Sequence, residues 1–294
     1  MNEAILPLIG RLVGFDSVSV RPNMALIEAV RDHLAGHGVA ARIVPNADGT
    51  KANLFATIGP EIPGGVALSG HTDVVPVEGQ EWSSDPFTLT TRGDRLYGRG
   101  TADMKGFIAV ALALVPEFKR RRLKRPIHFC FSYDEEITCA GVLSLLQLLG
   151  TELPKPALAI IGEPTSMRVV NAHKGVIAHL TTIVGRDGHS SAPHKGANAI
   201  AHMGRFMGFL DRLAEELRAE GESKAIPGLD FDPPWTTVNL GSIHGGTAMN
   251  IIARECRLAW EFRPLPGVDA EVIYQRAERF IDETVRPALR AQAP

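Results

Sequence analysis

The chain has 294 residues, of which 45% are hydrophobic and 22% are charged, with a formal net charge of −2. A near-neutral chain has no general attraction to nucleic acid or to anionic membranes, so we expect neither as a partner. Its length allows two domains or one large one. Three cysteines without a CxxC pair indicate reduced thiols and a cytoplasmic protein, and the amphipathic start of the chain predicts no signal peptide.

The first half of the chain alternates predicted helices with short apolar strands. Apolar spacing predicts helices at 2–14, 23–37, 104–118 and 139–149. Short apolar runs predict strands at 41–44, 53–58, 66–70, 127–133 and 157–161. Alternating strands and helices indicate a mixed, mostly parallel sheet with helices on both faces, which is an α/β fold.

The pattern changes near residue 173, where a second and smaller domain is predicted to begin. Strands are predicted at 176–184, 236–243 and 256–262, helices at 197–219 and 268–289, and a loop at 221–234. This β-α-β-β-α order indicates an α+β domain with an open-faced sheet, one strand short of a split βαβ pattern. We therefore expect a first domain at 1–173 and a second domain at 174–294.

Metal-seeking side chains follow three of the predicted strands, and a fourth segment adds a carboxylate. In chain order they are His71, Asp73, Asp103, Glu135, Glu136 and Glu163. Ligands gather at the carboxyl ends of the strands in open α/β sheets. One imidazole and several carboxylates that converge there form a nitrogen and oxygen site suited to zinc, with room in the ligand set for a second ion.

His71 and Asp73 lie two residues apart, which places both on one side of a strand. His71 would bind a metal ion while Asp73 bonds to the other ring nitrogen and fixes the tautomer. The alternative is a turn histidine beside a capping aspartate. Asp103 precedes a predicted helix, so it is either a metal ligand in a glycine-rich segment or an ordinary helix N-cap.

Glu135 and Glu136 are adjacent at the end of an apolar run, where neighbouring side chains diverge. One of them would bind metal while the other faces the substrate water as a general base. The alternative is a pair of solvated glutamates that cap the next helix. Glu163 is followed by Pro164, so it is either a further ligand or part of a turn that ends a strand.

Three polar residues of the second domain are candidates for substrate contact. His189 lies in a loop between a strand and a helix, where it would donate to a developing oxyanion or act only as a surface histidine. Asn250 follows a glycine pair, and Arg263 ends a strand, where a guanidinium suits carboxylate binding. The alternative for Asn250 and Arg263 is stabilisation of their loops.

Ten short segments carry a family resemblance. They lie at 70–73, 97–98, 100–106, 134–136, 160–166, 173–175, 188–191, 239–241, 244–246 and 263–267. Taken together and in this order, they resemble the co-catalytic zinc family of aminoacylases, dipeptidases and deacylases. The segments at 161–166, 173–175 and 263–267 favour the branch that acts on acetylornithine over the branch that acts on succinyl-diaminopimelate.

The resemblance implies four metal ligands and one residue that orients a ligand. Asp103 would bridge two zinc ions in each subunit. His71 and Glu163 would bind one of these ions, and Glu136 would bind the other. Asp73 would orient His71. Cobalt would be a substitute for zinc at such a site.

The resemblance also implies how the reaction would proceed. Glu135 would be the general base that takes a proton from water and passes it to the leaving nitrogen. His189, Asn250 and Arg263 would come from the smaller lid domain to the scissile carbonyl and the substrate carboxylate. In the family this lid also mediates dimerisation, so a homodimer is expected.

The implied activity is zinc-dependent hydrolysis of the amide bond of an N-acyl amino acid. The expected substrate is N2-acetyl-L-ornithine, which would give L-ornithine and acetate in arginine biosynthesis. A related desuccinylase or dipeptidase is one alternative. Family chains continue beyond the position that corresponds to 294, where they complete the lid sheet and add a final histidine ligand. The other alternative is therefore an inactive, truncated chain that only binds metal and dimerises.

Overall fold

The structure is a computed structural model that describes residues 3–222 and 230–292. Its contacts divide the chain into two compact units, Met1–Arg168 and Val169–Pro294. This division lies a few residues before the predicted boundary at 173 and 174. Within the described ranges, no helix is long and apolar enough to cross a membrane.

The first unit is built on a five-stranded mixed sheet. Its strands are β1 (Ala41–Pro45), β2 (Ala52–Ile58), β3 (Val66–His71), β6 (Ile127–Ser132) and β7 (Leu158–Ile161), and β4 (Thr90–Arg92) and β5 (Arg95–Tyr97) form a separate hairpin. The order is β1-β2-β6-β3-β7, in which β6, β3 and β7 run parallel and the other pairs are antiparallel. The predicted α/β fold with a mixed sheet is confirmed, and the three parallel strands are the ones that end at candidate site residues.

Helices cover both faces of this sheet. They are α1 (Ile5–Val13), α2 (Met24–Gly36), α3 (Lys105–Ala113), α4 (Val115–Arg120), α5 (Glu135–Thr138) and α6 (Leu143–Leu146). The larger core joins Leu12, Ile27 and Ile108 of α1, α2 and α3 to Phe129 of β6, and a smaller core on the other face includes Leu145 of α6. Burial of these apolar faces holds the helices on the sheet and so fixes where its strands end.

The single helix predicted at 104–118 is wrong, because the chain forms α3 and α4 with a break at Leu114. Pro116 has no N–H and cannot donate to the carbonyl of Leu112 four residues earlier. A ring nitrogen of His33 lies 3.3 Å from that carbonyl oxygen instead. The proline therefore ends the first helix, and the histidine occupies the hydrogen-bonding position that it leaves open.

The helix predicted at 139–149 is also wrong. The chain instead forms the single turn α5, a 3₁₀ turn at Ala140–Val142 and the short α6. Cys139 has a φ of 54°, in the left-handed region, and such a residue ends a right-handed helix. The break places Glu135 and Glu136 in the first turn of a short helix rather than along the strand.

The second unit has the predicted order of elements. Its parts are β8 (Ile177–Val184), α7 (Ala199–Glu222), β9 (Thr237–Gly245), β10 (Glu255–Arg263), α8 (Ala270–Phe280) and α9 (Arg286–Gln292). The strands form an antiparallel sheet in the order β8-β10-β9. Cys256, Leu258, Trp260 and Phe262 alternate along β10 as buried residues, which is the pattern of a strand with one covered face.

Two predicted elements of this unit differ from the structure in their boundaries or continuity. The closing helix predicted at 268–289 is interrupted by a π-helical turn at Ile281–Val285. Pro287, in the first turn of α9, has no N–H to continue the hydrogen-bond ladder. The predicted loop at 221–234 begins later than expected, because residues 221 and 222 belong to α7, and residues 223–229 lie outside the described residues.

Candidate metal centre

The candidate site is organised around His71, the last residue of the central strand β3. Its side chain is only 2% exposed. The Nδ1 atom lies 2.9 Å from the backbone oxygen of Asp73 and 3.6 Å from Oδ1 of the same residue. Since Nδ1–H donates to this carbonyl, the ring is held with Nε2 turned toward the neighbouring carboxylates. Asp73 therefore orients His71 chiefly through its backbone.

Four candidate carboxylates lie close to the His71 imidazole. Three of them approach its Nε2 atom, at 3.0 Å for Asp103 Oδ1, 3.7 Å for Glu163 Oε1 and 3.8 Å for Glu135 Oε2. Ligand atoms of His71, Asp103 and Glu163 all lie within 4.8 Å of one another, and so do those of His71, Glu135 and Glu136. The parallel strands β3, β6 and β7 end at one edge of the sheet, which is why residues far apart in sequence meet there.

Asp103 reaches this cluster from the loop that precedes α3. The residue at the N-cap position of α3 is Met104, with no side-chain cap, so the structure does not support the N-cap alternative for Asp103. The sulfur of Met104 accepts the backbone N–H of His71 at 3.2 Å. The start of α3 is therefore fastened to the end of β3, and Asp103 is held beside the imidazole.

The carboxylate of Asp73 accepts three hydrogen bonds next to the candidate metal ligands. It accepts the backbone N–H groups of Glu135 and Glu136, at 3.2 and 3.3 Å, and the hydroxyl of Ser19 at 2.6 Å. Negative charge at the start of a helix suits these free N–H groups. Asp73 thus fixes the first turn of α5, and with it the direction of two candidate residues.

The polar support around Asp73 was not predicted. Ser19, Asn23 and Lys51 carry no spacing typical of a metal or catalytic motif, and no role was predicted for Thr72 within the segment at 70–73. In the fold, Asn23 Nδ2 donates to Thr72 Oγ1 at 2.9 Å, and Thr72 Oγ1 donates to the backbone oxygen of Ser132 at 2.8 Å. These side chains join the start of the chain to the ends of β3 and β6, a relation that only the tertiary structure reveals.

The close packing of charged groups raises the pKa values of three residues of the site. Burial opposes a charged imidazole, but the hydrogen bonds and negative charge of Asp73 outweigh it and raise the pKa of His71 to about 9. Burial and the nearby charge of Asp103 raise the pKa of Glu136 to about 7. Burial also raises the pKa of Glu163, against the opposing charge of His71. Carboxylates packed this closely repel one another unless a cation lies between them.

The donor set therefore fits a divalent metal ion. One imidazole nitrogen and carboxylate oxygens are ligands that zinc and related ions accept. The other ring nitrogen of His71 is already hydrogen-bonded, as it is in most histidine ligands of metals. The carboxylates of Asp103, Glu135 and Glu163 are each more than one-third exposed, so the site is accessible to an ion from solvent.

The remaining candidate residues belong to the second unit. The segments that hold His189 and Asn250 are adjacent, because His189 pairs with Ile251 and the Ser190 N–H donates to the Asn250 carbonyl at 3.0 Å. Arg263 ends β10, where its Nε donates to Glu261 Oε1 at 3.0 Å. This unit therefore brings His189 and Asn250 together, while Arg263 is paired with a neighbour on its own strand.

Comparison with known proteins decides the family. The sequence model of peptidase family M20/M25/M40 matches residues 67–292. The chain belongs to this family. The predicted family resemblance is thereby confirmed, and the matched range includes all the candidate site residues.

Relatives in peptidase family M20/M25/M40 include two proteins named acetylornithine deacetylase. The one from Photorhabdus laumondii is 40% identical in an alignment of 279 positions that covers 91% of this chain and 70% of the relative. The one from Pasteurella multocida is 40% identical over 247 residues, which are 84% of this chain and 62% of the relative. The chain thus spans between three-fifths and three-quarters of the length of these relatives.

Solved structures of M20 proteins share the fold. The metallo-carboxypeptidase of Sulfolobus solfataricus has a TM-score of 0.77 at 18% identity, over 96% of this chain and 76% of that one. A Bacillus subtilis peptidase described as dinuclear and metal-binding has a TM-score of 0.58 at 17% identity, over 99% and 70% of the two chains. At this level of identity the likeness concerns the fold alone.

Proposed function

We propose that the chain carries the metal-binding catalytic part of an amidohydrolase that removes the acyl group from an N-acyl amino acid. The proposed substrate is N2-acetyl-L-ornithine, which gives L-ornithine and acetate in arginine biosynthesis. The observation that carries the proposal is the approach of Asp103, Glu163 and Glu135 to one buried imidazole, at 3.0 to 3.8 Å. The substrate is chosen on the 40% identity to two proteins named acetylornithine deacetylase.

Zinc is the proposed metal, with two ions in each subunit and cobalt as a substitute. His71, Asp103 and Glu163 would hold one ion, and Asp103 with Glu136 would hold the other. The first set is supported by the convergence of ligand atoms of His71, Asp103 and Glu163, and Glu136 belongs to a second such group with His71 and Glu135. When bound, zinc would polarise the amide carbonyl and make water a stronger nucleophile near neutral pH.

Glu135 is the proposed general base. Its carboxylate lies in the cluster, 3.8 Å from His71 Nε2, while its backbone N–H is fixed by Asp73 at 3.2 Å. A carboxylate held in this way takes a proton from the attacking water and later delivers it to the leaving nitrogen. Glu136 follows it in the first turn of α5, where its own backbone N–H also donates to the Asp73 carboxylate, at 3.3 Å.

His189 is the proposed hydrogen-bond donor to the oxyanion. Its Nδ1 accepts the backbone N–H of Ser191 at 3.2 Å and lies 2.7 Å from the Ser191 hydroxyl. Because Nδ1 accepts, a neutral imidazole carries its proton on Nε2, which is then a donor. Asn250, on the adjacent segment, and Arg263 are the proposed contacts for the substrate, with Arg263 exchanging Glu261 for the substrate carboxylate.

Hydrolysis of three substrate classes by the purified 294-residue chain tests the proposed function. With Zn²⁺ added, we expect release of L-ornithine from N2-acetyl-L-ornithine, little release from dipeptides or N-succinyl-diaminopimelate, and loss of activity after chelation. Preference for a dipeptide or for the succinyl substrate would assign the chain to that branch instead. A zinc-loaded chain that hydrolyses none of the three would contradict the proposal.

The variant Glu135→Gln tests the proposed base. The amide has nearly the same shape but cannot accept a proton, so we expect turnover to fall at least about 100-fold with the zinc content unchanged. Turnover and metal content are measured on the same preparation. Glu152→Gln, which alters an exposed glutamate paired with Arg42, is the matched control and should leave both unchanged. Retained turnover in Glu135→Gln would remove Glu135 as the base.

The proposed assembly is a cytoplasmic homodimer that forms through residues 174–294. The outer strands β8 and β9 support this proposal, because they expose Leu180 at 67% and Ile243 at 46%. Exposed apolar residues on outer strands favour contact with another chain. Sedimentation velocity measures the assembly, and a monomer at all accessible concentrations would contradict it.

A further inference from the structure

The acidic segment that starts α5 is attached to a lysine from a distant part of the chain. Lys51 directly precedes β2, and Asp134 directly precedes the two glutamates of α5. Lys51 Nζ lies 2.6 Å from Asp134 Oδ1, with the side chains only 14% and 19% exposed. An ion pair this well shielded is not a solvated surface pair, whose contribution is small. Asp134, one partner of this pair, directly precedes Glu135, the proposed base.

The backbone of Asp134 explains why such a restraint matters. Its φ is 58°, in the left-handed region that non-glycine residues adopt infrequently. This turn redirects the chain from β6 into α5, and its carbonyl accepts the N–H of Cys139 at 2.9 Å. The direction in which Glu135 and Glu136 leave the sheet therefore depends on Asp134 keeping this conformation.

Lys51 also connects this turn to Ser19 and Asp73, the residues hydrogen-bonded next to His71. Its Nζ donates to the backbone oxygen of Ser19 at 2.5 Å, and the Ser19 hydroxyl donates to Asp73 Oδ2 at 2.6 Å. Asp73 in turn accepts the N–H groups of Glu135 and Glu136. The first turn of α5 is thus held on one side by Asp73 and on the other by Lys51 through Asp134.

We propose that Lys51 is a positioning residue of the active site, which holds Asp134 in its left-handed conformation and so directs Glu135 and Glu136 toward the metal centre. This inference rests on the proposed function, since it assigns Lys51 a task in arranging the base and one metal ligand. In the part of the chain that the structure describes, the Lys51 ammonium bonds to Asp134 and Ser19 rather than to a proposed metal ligand. Its effect passes through Asp134 and Ser19.

The direction in which zinc affinity changes when Lys51 is removed separates a positioning role from a purely electrostatic one. Lys51 is a positive charge near a cluster of carboxylates, so its removal makes the surroundings of the metal more negative. Electrostatics alone would then leave zinc binding unchanged or make it tighter. Loss of positioning would instead weaken zinc binding, by about 10- to 100-fold, which is the usual effect of removing a residue that supports metal ligands.

The test compares Lys51→Met, Lys51→Arg and Lys119→Met in the 294-residue chain. Lys119 is the matched control, because its ammonium also donates to backbone carbonyls, those of His37 and Gly38 at the end of α2. Zinc dissociation constants are measured by competition with a chromophoric chelator, and kcat and KM are measured with N2-acetyl-L-ornithine. Thermal unfolding of the metal-free variants reports whether each one folds.

We expect Lys51→Met to weaken zinc binding at least about tenfold and to lower kcat more than it raises KM. Lys51→Arg, which keeps the charge, should recover most of the zinc affinity and most of kcat. Lys119→Met should match the wild type in both. A folded Lys51→Met chain that binds zinc as tightly as the wild type, or more tightly, would overturn the proposal.

Two further measurements keep the test decisive. If Lys51→Met fails to fold, Asp134→Ala removes the acceptor of the Lys51 ammonium from the other side, and the same loss of zinc affinity is expected. Unchanged affinity in Asp134→Ala would overturn the proposal. A wild-type chain that binds zinc but hydrolyses no amide would refute the proposed function, while the zinc affinities would still decide the role of Lys51.

Discussion

His71 is a proton-binding group as well as the nitrogen ligand of the proposed metal site. Asp73 raises its pKa to about 9 despite burial, so the imidazole of the metal-free chain is charged at neutral pH. Its positive charge then lies against Asp103, at 3.0 Å, and near Glu135 and Glu163. A metal ion that binds Nε2 must displace this proton, so metal and proton compete for one atom.

Uptake of the zinc ion that binds His71 should therefore release about one proton near neutral pH. Because His71 holds its proton below a pH of about 9, the apparent zinc affinity should rise with pH up to that value and fall as pH is lowered. Isothermal titration calorimetry in buffers of different ionisation enthalpy gives the proton count. The variant His33→Gln, at a histidine whose pKa burial lowers, should leave the count unchanged. Zinc binding without proton release would contradict this prediction.

At the scale of elements, the site depends on short connections that pack tightly. The loop that carries Asp103 folds against the start of α3, where Gly106 is buried. A Cβ at Gly106 would lie 2.2 Å from the backbone oxygen of Thr101, so only glycine fits at this approach. This contact brings the helix close to the loop and limits where Asp103 can lie.

Gly106→Ala should lower the free energy of unfolding by about 1–3 kcal/mol, because backbone must move to admit the methyl group. It should also weaken zinc binding, since the displaced loop carries Asp103. Urea unfolding followed by circular dichroism and chelator competition measure the two effects. Gly204→Ala is the control, because Gly204 lies in α7 and an added Cβ would meet no described atom within 4 Å apart from the backbone of its own helix. Alanine there should raise stability by about 0.5–1 kcal/mol, and equal losses in both variants would contradict the steric explanation.

At the scale of the whole molecule, the proposed machinery is divided between the two compact units. The proposed metal ligands and the base lie within Met1–Arg168, whereas His189, Asn250 and Arg263 lie within Val169–Pro294. Each unit has its own hydrophobic core. A substitution in the second unit should therefore change oxyanion stabilisation without changing metal binding.

His189→Ala should lower kcat by about 100- to 1000-fold, the usual effect of losing one oxyanion donor, without changing the metal content. The reason is that His189 supplies none of the proposed ligands of the metal centre. Steady-state kinetics and elemental analysis of the same preparation measure the two quantities. His194→Ala, at an exposed histidine five residues away, should match the wild type. Loss of metal in His189→Ala would contradict this division of roles.

Sequence reasoning was most successful where periodicity and motif agreed. The apolar runs before His71, Glu135 and Glu163 form strands that end at one edge of the sheet. It failed at 104–118 and 139–149, because Pro116 and the left-handed Cys139 interrupt patterns that are otherwise helical. It also missed Lys51, whose partner Asp134 lies more than 80 residues away. Periodicity reports burial within one element and contains no information about contacts between distant elements.

The amino-acid sequence by itself determined the family, the mixed α/β character of the first unit and the set of residues that could bind metal. These follow from local patterns, because strand and helix periods and short motifs depend on neighbouring residues. Only the tertiary structure decided that the His71 imidazole is buried among four carboxylates, that Asp73 fixes the start of α5, and that Lys51 pairs with Asp134. Such distances depend on how the strands are ordered and how the helices pack, which a linear pattern does not specify.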